Sequence, residues 1–170
     1  MKYYVIDANV MLLAGTRIAD VPDDQINCWR KCIDFIHEVC YLQAVIVVDD
    51  GWEILGEYRD IKTIQGYPNY SDNFFRYVMT DQSRHLCFIH LVKNGEYEFA
   101  SYPDSEELRR FDPPDRKYIA VSYNHEEHPP IVEAADSKWW GIKEALHEND
   151  IELVFVDEEY IRKKYREKMS

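Results

Sequence analysis

An α/β fold with a central, mostly parallel sheet is predicted by three features of this 170-residue chain. Short apolar runs alternate with segments of helical spacing, as strands alternate with helices in βαβ units. The first runs carry no charge, so they read as strands buried on both faces, the habit of parallel sheets. Carboxylates stand where the runs end, at the edge where open α/β sheets bind ligands.

Tyr3-Tyr4-Val5-Ile6 is the first strand and runs straight into Asp7, with Asn9 two places on and an apolar helical segment behind it. A carboxylate at a strand end is costly to desolvate unless a metal or cation pairs with it. Asp7 therefore reads either as a metal ligand or as a solvated cap on the next helix. Val21-Pro22-Asp23-Asp24 opens a helix, and residues 24–41 keep apolar side chains at helical spacing. Residues 44–48 form a second apolar strand, followed by Asp49-Asp50-Gly51 and a helix over 52–58. Gly66 and Pro68 break the chain before a helix over 71–80.

Between 85 and 102 the pattern turns extended. Residues 86–92 and 97–100 flank Asn94-Gly95, a strong turn signal, and predict an inserted β-hairpin. Asp112-Pro113-Pro114-Asp115 spells a helix start. Pro129-Pro130-Ile131-Val132 gives a short strand, then come Ala135-Asp136-Ser137, a helix over 138–148, a last strand over 151–156 and a basic helical tail over 160–168. No linker interrupts the chain, so a single domain over 1–170 is expected.

Composition narrows the function. A formal charge of -12 argues against non-specific affinity for nucleic acid, which rests on Lys and Arg. It leaves room for a nuclease, because a bound divalent ion reverses the field locally and a basic partner can supply positive surface. Apolar runs stay well short of the ~20 residues needed to span a bilayer. The first strand begins at once, so no signal peptide fits, and the four cysteines suit reduced core positions. A cytoplasmic protein is expected.

Asp7, the Asp49–Glu57 segment, Asp112 with Asp115, and Asp136 all fall at strand ends or strand-to-helix junctions. In a parallel sheet these lie on one edge and converge. Converging like charges need a cation, and oxygen-only ligands point to Mg²⁺ or Mn²⁺ rather than zinc.

In its order of motifs the chain resembles the PIN domain family of metal-dependent ribonucleases. The matching pieces are a hydrophobic strand with Asp7-x-Asn9, a glutamate in the helix after the second strand, Asp115 with Ser122 seven places on, and Asp136 after a late strand. The resemblance implies a PIN-like three-layer sandwich and an endoribonuclease that hydrolyses RNA phosphodiester bonds with Mg²⁺ or Mn²⁺. Asp7, Glu57, Asp115 and Asp136 would be the catalytic and metal-binding quartet, with Asn9 and Ser137 orienting ligands and waters. Glu53 and Asp112 are the alternates. Asp50-x-x-Glu53 fits a capping box and Asp112 fits an N-cap, which leaves Glu57 and Asp115 free for chemistry. Where the family often has a further acid, this chain has Lys138, which bears on a second metal. The cellular setting implied is the toxin of a toxin–antitoxin or defence system, with an antitoxin or other basic protein as partner and homo-oligomers open to it. A catalytically inactive PIN-like protein-binding module is the alternative. A phosphotransferase of the haloacid-dehalogenase type also opens on a strand-end Asp, but it needs a second Asp where Asn9 stands.

Overall fold

A computed structural model describes residues 1–61 and 69–170, so Gly66 and Pro68 lie outside the described residues. Strand β1 (Tyr3–Ile6) leads into α1 (Ala8–Ala14), and α2 (Ile26–Tyr41) returns the chain to β2 (Val45–Asp49). Helices α3 (Glu53–Asp60), α4 (Tyr70–Thr80) and α5 (Gln82–His85) precede β3 (Leu86–Ile89). The short strands β4 (Lys93–Gly95) and β5 (Glu98–Phe99), then α6 (Glu106–Arg109) and α7 (Arg116–Asn124), lead to β6 (Ile131–Glu133). Helix α8 (Lys143–His147), β7 (Leu153–Phe155) and α9 (Glu158–Met169) complete the described elements.

Five strands form one parallel sheet in the order β3-β2-β1-β6-β7, flanked by helices. The chain builds outward from β1 to β3 and then returns to the other side of β1. That reversal makes the gap between β1 and β6 the switch point, where the carboxyl ends of neighbouring strands open a crevice. Central placement accounts for the uncharged runs: Val5, Ile6, Ile46, Val47, Val48, Ile131 and Val132 are all buried. Helix α1 packs on α2 and α4, while α7 crosses β1 and β2. The helical spacing in 24–41 resolves into a buried stripe of Cys28, Cys32, Ile33, Ile36 and Val39 on α2. Among the described residues no helix is long and apolar enough to cross a membrane.

Two expectations are corrected. The run 86–92 is not one arm of a hairpin: Leu86–Ile89 pairs in parallel with β2, with Ile46 opposite Leu86 and Asp49 opposite Ile89. An apolar run carries no mark of strand direction, and the open edge of β2 takes the nearest one. The antiparallel pair is smaller, with Lys93 opposite Phe99 and Gly95 opposite Glu98. Asn94-Gly95 lies within β4, and the turn is made by Glu96 and Tyr97. The helix expected over 138–148 also divides, into a 3-10 stretch Ser137–Ile142 and then α8. Buried Trp139 and Ile142 are three residues apart, so a three-residue turn puts both on the inner face.

Candidate functional site

Both central strands at the switch point end in an acid. Asp7 follows β1 and Glu133 closes β6. Asp7 caps α1 through Oδ1, which accepts from the Asn9 N–H at 3.0 Å, yet the residue is only 5% exposed. Glu133 is fully buried. Its Oε1 accepts from the Ala134 N–H at 2.8 Å, and its Oε2 has no hydrogen-bond donor among the described residues. The Asp7 and Glu133 carboxyl groups lie against each other, so only a shared proton or a cation can satisfy the facing oxygens. Burial raises the Asp7 pKa to about 6. The hydrogen bonds from Glu133 and the Asn9 amide act against that rise, and the charges of Asp115 and Glu57 add to it. Burial and the Asp7 charge push Glu133 well above the ordinary glutamate range. Asn9 orients this pair: its side chain hydrogen-bonds Glu133, and its Oδ1 accepts from the Ala134 N–H at 3.4 Å.

Beside this pair, three aspartates surround one ammonium. Lys138 Nζ contacts Asp115 at 2.6 Å and Asp136 at 3.0 Å, and it donates to Asp112. Desolvation disfavours this ammonium, but the three hydrogen-bonded carboxylates outweigh it and raise the Lys138 pKa well above its usual value. Burial raises Asp115 above the usual aspartate value despite its contact with Lys138. Asp112 makes no side-chain cap, contrary to the sequence expectation, because its carboxylate is engaged by Lys138.

Glu57, on α3, has partners of its own. Buried Lys117 forms an ion pair with Oε1, and Tyr118 donates its hydroxyl to Oε2 while accepting from the Ala8 N–H at 3.2 Å. Glu53 lies apart, paired with Lys93 of the hairpin at 2.7 Å. The predicted capping box of Asp50 and Glu53 is not formed. Asp50 pairs with His90 at 2.7 Å, and the α3 cap is Asp49. Asp49 accepts from the N–H groups of Glu53 and Ile54, both at 2.9 Å. Trp52 between them adopts φ 63, the turn that aims these amides at Asp49. Asp49→Ala should therefore cost about 2 kcal/mol in a urea titration, the upper end for a helix cap. A change below a few tenths would show that the two bonds carry no stability.

The charges of Asp115 and Glu57 both reach Asp7, and Asp136 joins Asp115 through Lys138. Ser137 is buried with no partner for its Oγ among the described residues. Sequence reasoning missed Glu133, Lys117 and Tyr118. For Glu133 the signal was present, since Ile131-Val132-Glu133 repeats the pattern of Val5-Ile6-Asp7.

Among the described residues, no three His, Cys, Asp or Glu side chains are grouped as a ready metal site. Asp112, Asp115 and Asp136 turn to Lys138, and Glu57 turns to Lys117. The unmet demand for positive charge is at Asp7 and Glu133, whose buried, oxygen-only donors suit one hard divalent ion. A groove of about 260 Å³ lies beside the hairpin, lined by Glu53, Glu57, Glu96, Lys117, Tyr97 and Phe99. The other side of Tyr97 and Phe99 opens into a groove of about 380 Å³ with Tyr102, Arg109 and Arg116. No family model matches the chain, and neither a curated protein nor a solved structure matches it.

Proposed function

We propose that this chain is a metal-dependent endoribonuclease with a PIN-like three-layer architecture, acting at the carboxyl edge of β1 and β6. The observation that carries the reading is the buried Asp7–Glu133 pair, with an oxygen that no donor reaches among the described residues, at the topological switch point. Asp7 and Glu133 would hold one Mg²⁺ or Mn²⁺, with Asp115, Asp136 and Glu57 at its border. When bound, such an ion supplies Lewis-acid polarisation of a phosphate ester. The chain's own residues do the rest. Asn9 fixes the Glu133 carboxyl, Lys117 and Tyr118 hold Glu57 at the groove, and Lys138 presents positive charge to phosphate oxygens. In the hydrolysis a water oxygen bonds to phosphorus, its proton passes to a carboxylate at the groove, and the bond to the 3′-oxygen breaks with that oxygen taking a proton from solvent to leave as the 3′-hydroxyl.

The grooves that share Tyr97 and Phe99 favour a nucleic-acid substrate. Tyr97 and Phe99 offer ring faces, and Arg109 and Arg116 add cations, the side chains on which single strands stack and neutralise their phosphates. The strong overall acidity favours a basic protein partner, as in a toxin–antitoxin pair. Purified protein incubated with mixed RNA is expected to cleave it with Mg²⁺ or Mn²⁺ and to stop when chelator is in excess. RNA left intact with both ions rejects the reading.

One observation favours a second reading, a catalytically inactive PIN-like protein-binding module. Lys117 and Lys138 already neutralise Glu57, Asp112, Asp115 and Asp136, as a site retired from catalysis would. The same incubation separates the two.

A further inference from the structure

We infer that Lys138 is a built-in second cation, so that the site takes a single divalent ion rather than a pair. The inference rests on the nuclease reading above and specifies its metal requirement.

The acidic cluster has two halves with opposite needs. In one half, an ammonium with three N–H donors meets three carboxylates, Asp112, Asp115 at 2.6 Å and Asp136 at 3.0 Å, so its hydrogen-bonding capacity is filled. Lys138 follows Asp136, the N-cap of its 3-10 stretch, by two residues, and its ammonium reaches Asp112 and Asp115. The Phe111 ring lies 6.0 Å from the ammonium, within cation–π range. In the other half, the buried Glu133 Oε2 has no donor among the described residues. Two-metal sites hold their ions roughly 4 Å apart on shared carboxylates. A second divalent ion on Asp115 and Asp136 would have to expel Lys138 and strip both aspartates of their partner. The Lys138 side chain stays 36% exposed, so its charge also faces any phosphate brought to the cluster.

The test is the Mn²⁺ stoichiometry of the full chain, read by titration calorimetry and by the electron paramagnetic resonance of free Mn²⁺. Wild type should bind one ion. Lys138→Met keeps the stem but frees three carboxylates, and should bind two. Lys138→Arg keeps the charge and should stay at one. Two ions on wild type overturn the inference whether or not any variant folds, and they leave the nuclease reading in place. One ion on both wild type and Lys138→Met also overturns it, because Lys138 then excludes nothing. No ion on either protein removes the nuclease reading, and the inference falls with it.

Discussion

Asp7→Asn is expected to lower RNA hydrolysis by roughly two to three orders of magnitude while the protein stays folded. The substitution keeps what Asp7 does for the fold. Asn caps a helix about as well as Asp, so the bond to the Asn9 N–H persists. What it removes is one of the two facing carboxylates at the switch point, and with it the charge that draws a cation to the Glu133 oxygen that lacks a donor among the described residues. Without metal, the variant should be as stable as wild type or more so, since a buried like-charge contact is gone. With metal the order reverses. An ion that binds only the native site adds RT ln(1 + [L]/Kd), about 2.7 kcal/mol at a hundredfold excess. Mg²⁺ should therefore raise the wild-type melting temperature and move that of Asp7→Asn much less. Ionic strength must be matched with NaCl, because a chain of charge -12 gains from any salt. Wild-type cleavage rates in Asp7→Asn would take this residue out of the reaction. Equal Mg²⁺ shifts in the two proteins would take it out of the metal site.

The sequence made the frame of this site legible because strand ends in a parallel sheet share an edge. Once the runs at 3–6, 44–48 and 129–132 read as strands, the acids at the junctions of the sheet had to gather, and the charges of Glu57 and Asp115 do reach Asp7. Direction and partnership were harder to see. Leu86–Ile89 was absorbed into a hairpin because a four-residue apolar run does not say which neighbour it will pair with, and the nearby Asn94-Gly95 suggested an antiparallel one. Spacing predicts caps for Asp50 and Asp112, yet both carboxylates go to distant partners, His90 and Lys138. Lysines carry no local signal of this kind. Lys117 and Lys138 sit in ordinary-looking helix starts, and only the fold shows that their ammonium groups meet Glu57 and the three aspartates. Glu57 and Glu53 are told apart by their partners and not by capping. Glu53 is drawn to Lys93 on the hairpin, whereas Tyr118 and Lys117 claim Glu57.

The Asp7–Glu133 contact also sets how the metal-free protein should respond to pH. In the folded chain Asp7 titrates at about 6 against an ordinary value of 3.8, and Glu133 is raised well above its own. Between those limits the native state holds protons that the unfolded chain has released. Stability therefore falls as pH rises from about 4 through 6, and the penalty is fully present above the folded pKa. For Asp7 alone a shift of this size corresponds to roughly 3 kcal/mol, reached by the upper end of the window. Exposed acids held low by cations, such as Asp24 beside Lys164 and Asp50 beside His90, work in the opposite sense. The variant Glu133→Gln separates the two effects. Its amide donates to Asp7 and carries no titrating proton, while the burial that raises Asp7 remains, so the fall between pH 4 and 6 should persist and the further fall above pH 6 that Glu133 adds should be lost. At pH 7.5 the chelator-treated variant should exceed wild type by about 1–3 kcal/mol, the cost of leaving a buried polar group unsatisfied. Urea titrations of both proteins at pH 4.5, 6 and 7.5 read this directly. Parallel stability curves would mean that the two carboxyl groups share no proton, and that the oxygen without a donor creates no demand for a cation.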